Sequence, residues 1–221
     1  LNYYMFYYLC VMKFLFDLGL IHGKQTSLKT KAGVVNARIL EDSNVSVRMT
    51  TPKLKAIDVG VDKNLVENVV SNGHDFFYIP WKSRKIEIFP VSMGNPHAVM
   101  LVDDVSIAPV AEIGSAIECH AAFPENANVG FLEIADRAQL RLRVWERGVG
   151  ETLACGSGAC AAVAVAHRWG RIEESVTVTL PGGSGPLLGY VYTFWQKWAA
   201  PQLRLYVMAE VDHSSAAVIL P

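Results

Sequence analysis

"ETLACGSGACAAVAVAHRWG", residues 151–170, decides how the rest of the chain is read. From Ala159 to Ala166 it is apolar on every side, which makes it a helix enclosed by sheet rather than one lying on a surface. His167 and Arg168 complement the negative end of the helix dipole, and Gly170 can take the left-handed conformation that ends a helix. The entrance is less ordinary. Cys155, Gly156, Ser157 and Gly158 stand where a helix offers unpaired backbone N–H groups and partial positive charge, both favourable to an anion. A thiol there is expected to have a lowered pKa. Gly156 and Gly158 let several amides converge on a carboxylate or phosphate, and Ser157 adds a hydroxyl. Cys160, five residues on and about 140° round the helix, faces elsewhere and reads as a packing residue. On this helix alone, a buried inert cysteine with close-packing glycines explains the turn equally well.

The composition narrows the function. The chain has 221 residues, enough for one large or two small domains, and a net charge of −1, which leaves no long-range field to attract nucleic acid or an anionic membrane. A small-molecule partner fits better. Four cysteines, Cys10, Cys119, Cys155 and Cys160, form no disulfide scaffold and no CxxC metal spacing, as expected of reduced thiols in a cytoplasm. The aromatic N-terminus, LNYYMFYYLCVMKFLFDLGLI, is broken by Lys13 and Asp17, so it reads as a buried core helix over Val11–Leu20 rather than a membrane anchor.

Between these helices the pattern is of strands. SLKTKAG, VVNARIL and NVSVRMT alternate like a meander, and FFYIP, KIEIFPVSM, HAVMLVDDV, NVGFLEIA, AQLRLRVWERG and SVTVTLPGG follow. Residues 52–75 are more polar and are read as a junction or inserted excursion. The halves also look like copies. CVMKFLFDLGLI (10–21) and CAAVAVAHRWGRI (160–172) each run from a Cys through an apolar helix to Gly and Ile, and TSLKTKAG then parallels ESVTVTLPGG. That order implies an α+β fold of two similar lobes, each a sheet around one helix.

Other residues gather near the Cys155 turn. Glu146 and Arg147 end the alternating strand LRLRVW, close to the sheet edge that leads into the helix, where an Arg can clamp a carboxylate and a Glu can hold an ammonium group. Such pairs are more often solvated. SMGNPHAV (92–99) carries Asn95 and His97, and FPENANVGF (123–131) carries Asn126 and Asn128; each alone reads as a turn.

Taken together, MGNPH, FPENANVGF, ERGVGET and ACGSGACAAVAVA, in this order, closely resemble the diaminopimelate epimerases. The resemblance covers roughly residues 10–183 and is strong from Val91 onward. It implies two pseudosymmetric lobes, a site between them, a homodimer and cofactor-independent chemistry with no metal. The implied reaction interconverts LL- and meso-2,6-diaminopimelate in lysine and peptidoglycan precursor synthesis. One thiolate removes the α-proton and a second thiol delivers one to the opposite face, while donors stabilise the developing carbanion. Residue by residue, Cys155 matches one catalytic thiol. Gly156 and Ser157 match carboxylate-binding amides, and Asn95, Asn128, Glu146 and Arg147 match substrate-binding positions. His97 and Glu146 match residues that tune the thiols.

The departures are equally specific. The family's first-lobe turn, Cys-Gly-Asn-Gly-x-Arg-Cys, is replaced by YMFYYLC, with Tyr4 at the position of the second catalytic thiol. The stretch after about residue 184 lacks the expected closing strands. These losses divide the chain into a remnant of the first lobe, 1–52, and a second lobe, 53–221, with an atypical tail. They imply a truncated or shifted reading frame and impaired racemisation. Two alternatives stay open: a non-catalytic module that keeps the carboxylate-binding turn, and another isomerase of the same superfamily, proline racemase-like or phenazine-biosynthesis-like.

Overall fold

The computed structural model describes residues 14–21, 23, 25–30, 33–39, 45–49, 51–71, 74–173, 176–185, 191–195 and 204–209. The stretch around Cys10 and Tyr4 lies outside them. The architecture is α+β, two sheets with few helices, as the alternating segments predict.

Nine strands form the larger sheet: β4 (Glu67–Ser71), β5 (His74–Trp81), β6 (Arg84–Ser92), β7 (Pro96–Leu101), β8 (Asn128–Ile134), β9 (Gln139–Glu146), β10 (Gly150–Thr152), β11 (Thr177–Leu180) and β12 (Gly183–Gly185). Their order is β12-β11-β9-β8-β7-β6-β5-β4, with β10 on β9. Most neighbours are antiparallel, but β7 with β8 and β9 with β11 are parallel, and parallel pairs need a crossover. The first crossover carries the helix α2 (Val110–Glu118) and the second carries α3 (Gly156–Arg168). A shorter helix, α1 (Ala56–Val59), precedes β4.

The two crossover helices cover opposite faces of the sheet. On one face α3 packs with Phe89, Val91, Val99, Leu132, Leu140, Leu142 and Val144; on the other, α1 and α2 pack with Phe77, Ile79, Ile88, Met100, Val129 and Phe131. The central strands are therefore buried on both sides, which is why VGFL and HAVML read as continuous apolar runs while KIEIF at the flank alternates. Residues 52–75 are no excursion. Ala56, Val59 and Val61 enter the second core, Lys53 bridges to Ser92, and β4 completes the sheet edge.

Helix α3 is buried without a break from Ser157 to Ala166, as its all-round apolarity predicts. It ends as its sequence indicates: Gly170 takes φ 64°, its N–H donates to the His167 carbonyl at 2.8 Å, and the Arg171 N–H donates to the Ala166 carbonyl at 3.1 Å. This paired closure satisfies carbonyls that the last turn would otherwise leave open.

A second sheet contains β1 (Gln25–Thr30), β2 (Gly33–Ile39) and β3 (Val45–Met49), the expected meander, joined by β13 (Val191–Trp195) and β14 (Arg204–Ala209) in the order β1-β2-β3-β14-β13. The tail thus does supply strands, contrary to the reading of its sequence. VYTFW and RLYVMA carry enough β-branched and aromatic residues to pair as antiparallel strands, and β14 docks parallel to β3. Ala37 and Ile39 of β2 reach the α3 core.

The expected N-terminal core helix needs correction. Its described part is helical over residues 14–17 and closes at Gly19 with φ 67°, the conformation seen at Gly170. Yet Phe14, Leu18 and Leu20 are exposed, and only Phe16 and Ile21 rest against the α3 core. Apolar residues on most sides of a helix did not, in this segment, meet a partner on most sides.

Candidate active site

Strand parity assembles the site. Successive side chains along a strand point to opposite faces. His97 shares the parity of Val99, Asn128 that of Leu132, and Glu146 that of Val144, so all three belong to the α3 face of the sheet. In register, His97 lies opposite Asn128 across the parallel β7–β8 pair, and the antiparallel β8–β9 pair carries the strand end of Glu146 to the same level. The loop after β10 then brings the entrance of α3 to that level.

Cys155 is the N-cap of α3, in extended conformation (φ −138°, ψ 107°), and is only 5% exposed. Its Sγ lies 3.7 Å from Ser157 Oγ. Gly158 is closely packed: a Cβ there would stand 3.0 Å from Val144 Cγ2 and 3.1 Å from the Cys155 sulfur, so these side chains would have to give by a few tenths of an ångström. Gly156 and Ser157 belong to the first turn of α3, whose N–H groups have no intrahelical acceptor.

The thiol's protonation is the reverse of the expectation from helix position. Burial first, and then the negative charge of the neighbouring Glu146, push Cys155 well above the ordinary thiol range, and the Gly158 amide and Ser157 hydroxyl only partly offset them. A helix N-terminus favours a thiolate by a modest amount, whereas stripping water from a charge costs several times more. Cys155 is therefore held as S–H at neutral pH. Glu146 is half-buried, and burial raises its pKa, while hydrogen bonds from the Thr152 hydroxyl (2.5 Å) and the Cys155 thiol work in the opposite sense.

His97 is buried almost completely. Burial and then the Arg147 guanidinium lower its pKa to about 3, so the imidazole is neutral. Its Nε2 meets Asn95 Oδ1 at 3.2 Å. His97 Nδ1 and Asn95 Nδ2 are buried with no partner among the described residues. Buried polar atoms are nearly always satisfied, so these two are groups that a bound molecule can satisfy. Asn128 ties the site together: its Nδ2 donates to the Pro96 carbonyl at 3.1 Å, and its Oδ1 accepts the Arg147 backbone N–H at 3.1 Å. Asn126 takes φ 57° in the turn, and its Nδ2 lies 4.0 Å from the Cys119 sulfur. The Arg147 guanidinium donates to the Glu125 carbonyl at 2.7 Å, which leaves further N–H groups for an anion.

Cys160 is sealed in the α3 core and Cys119 is exposed beyond α2, so among the described residues the thiol of this cluster is Cys155. No group of three or more potential metal ligands exists among the described residues, and no described helix is long and apolar enough to cross a membrane.

A protonated thiol at a helix entrance, a neutral histidine, two asparagines and a Glu-Arg pair thus lie together at one end of the larger sheet. The sequence profile of diaminopimelate epimerase matches residues 89–187, which contain every one of these residues. Over these residues the chain is similar to the diaminopimelate epimerases.

The similarity extends beyond that segment. The diaminopimelate epimerase of Ectopseudomonas mendocina is 41% identical over 174 residues, and that of Chromobacterium violaceum 43% identical over 175; each alignment takes in 79% of this chain and 60% of the relative. The chain thus spans about 60% of the length of the epimerases it matches. Among solved structures, a hydroxyproline epimerase from Agrobacterium vitis aligns with a TM-score of 0.55 at 18% identity, over 86% of this chain and 60% of that one. A phenazine biosynthesis protein of the PhzF family from Bacillus anthracis aligns at 0.52 and 17% identity, over 90% and 72%. At such identities the likeness is one of fold alone, an α+β architecture shared with both structures.

Reading the sequence missed Glu118. Its carboxylate, 7% exposed, accepts the Trp145 indole N–H at 2.6 Å and the Gly148 backbone N–H at 2.6 Å. A signal was present: Val110, Ile113, Gly114, Ile117 and Glu118 share the buried face of α2 at helical spacing, which places a carboxylate where the periodicity asks for an apolar residue.

Proposed function

We propose that the chain acts on 2,6-diaminopimelate by moving the proton of an α-carbon, with Cys155 as the proton carrier on one face. The single observation that carries the reading is the buried Cys155 thiol beside the Glu146 carboxylate, at the amide-rich entrance of α3. The amides of Gly156 and Ser157 hold the α-carboxylate and stabilise charge as the proton leaves. Arg147 clamps the carboxylate of the second amino-acid head group, Glu146 faces an ammonium group, and Asn95, His97 and Asn128 complete the binding surface.

Held as S–H, Cys155 can deliver its proton from its own face to an α-carbon whose own proton has already left. In the opposite direction the thiol proton passes to Glu146, whose raised pKa suits it to accept, and the thiolate then removes the α-proton. Full inversion needs a second proton carrier on the far face. Tyr4 stands at the position where the resemblance puts that second thiol, so inversion by this chain is strongly impaired, while exchange on the Cys155 face persists.

The test is incubation of the purified chain with LL-diaminopimelate in D2O. Deuterium is expected to enter the α-position by mass spectrometry, with little conversion to the meso form, and Cys155→Ser is expected to abolish exchange. Rapid LL-to-meso conversion that depends on Cys155 would refute the impairment. Neither binding nor exchange would refute the reading as a whole. Binding without any exchange would favour the non-catalytic module.

A further inference from the structure

The turn that carries Arg147 has an anchor outside the site. The residues on either side of the Glu146-Arg147 pair, Trp145 and Gly148, each donate an N–H to the same Glu118 carboxylate, one oxygen apiece. Glu118 also fixes the start of β8, since its backbone carbonyl accepts the Ala127 N–H at 3.2 Å, one residue before Asn128. Gly114, one helical turn earlier, lets α2 approach so closely that a Cβ would stand 2.6 Å from Trp145 Cβ. Gly148 takes φ 76°, which turns its N–H back toward α2 while the Arg147 N–H points to Asn128 Oδ1.

Two facing N–H donors require an acceptor at both oxygens. A carboxylate meets that need, whereas an amide would turn an NH2 toward one of the donors. Both hydrogen bonds flank the Glu146-Arg147 pair, so besides satisfying the two donors they fix the backbone that carries that pair. We infer that Glu118 is a positioning residue that sets the Glu146-Arg147 turn, and through Arg147 the preference for a ligand with a second carboxylate. The ligand part of this inference rests on the proposed action on diaminopimelate; the anchoring part does not.

The experiment compares the full chain with its Glu118→Gln variant. L-Lysine is diaminopimelate without one carboxylate, so the ratio of the two affinities, measured calorimetrically, reports the Arg147 clamp. The variant is expected to lose roughly tenfold in that ratio, the equivalent of about one charged hydrogen bond. Amide exchange is expected to speed up at Arg147 and Gly148 but not at Val129–Leu132 of β8. Trp145→Phe, which removes one of the two donors, is expected to give a smaller loss of the same kind, and it serves if Glu118→Gln does not fold. An unchanged ratio, equal losses for both ligands, or unchanged protection at Gly148 would overturn the inference. If the unaltered chain binds neither ligand, the proposed function fails, and protection at Arg147 and Gly148 then decides the anchoring by itself.

Discussion

Acid should destabilise this protein through His97, and the size of the effect follows from the burial of the imidazole. In the unfolded chain His97 takes up a proton near its ordinary value of 6.5, whereas in the folded protein it does so only at about 3, because water is excluded and the Arg147 cation lies beside it. Below pH 6.5 the unfolded state therefore binds more protons than the native state, and stability falls as pH falls, down to about pH 3. At pH 5 the unfolded imidazole is protonated over about one and a half pH units that the native one is not, which at ~1.36 kcal/mol per unit gives a loss of about 2 kcal/mol relative to pH 8. The perturbation is His97→Gln, which retains a polar side chain without the titration. Urea unfolding of both proteins at pH 8 and pH 5 gives the difference in their pH dependence. The variant is expected to be less stable than the parent at pH 8, and this deficit should narrow by about 2 kcal/mol at pH 5. Imidazole proton shifts that report a neutral ring at pH 5 would agree. A deficit that does not change with pH, or a native imidazole that titrates near 6.5, would refute the reasoning.

Other outcomes follow from the same packing. Iodoacetamide at pH 8 should alkylate exposed Cys119 readily and leave Cys155 and Cys160 unmodified until denaturant is added, as read by peptide mass mapping. Gly114→Ala should lower stability by ~1–3 kcal/mol in thermal or urea unfolding, since the added methyl meets the root of the Trp145 side chain, which cannot swing away. Thr152→Val removes a hydrogen bond that favours the ionised form of Glu146, so a carboxylate titration followed by NMR should place Glu146 higher in the variant than in the parent.

Much of the site was legible as a list of residues. Cys155, Glu146, Arg147, Asn95, His97 and Asn128 all occur in short turns or strand ends whose residue types are unusual for their surroundings, and the structure gathers them at one end of the larger sheet. What the list lacked was the state of each group. The helix entrance argued for a thiolate, but Cys155 is enclosed by α3, Val144 and Glu146, and the desolvation and like-charge contributions outweigh the helix dipole. Glu118 escaped notice because its importance lies in two donors 27 and 30 residues away in sequence, which only the packing of α2 on β9 makes neighbours.

The sequence by itself determined the α+β class, the enclosed helix α3 with its Gly170 closure, and nine of the fourteen described strands, because these depend on periodicity and on glycine's backbone freedom, both local properties; it did not determine helix α2. Tertiary structure decided that the N-terminal helical segment keeps Phe14, Leu18 and Leu20 exposed, that the tail strands β13 and β14 dock on β3, and that His97 is neutral and Cys155 protonated. Those outcomes depend on which surfaces are removed from water and which charges share the resulting space. No stretch of sequence carries that information until the sheets close around it.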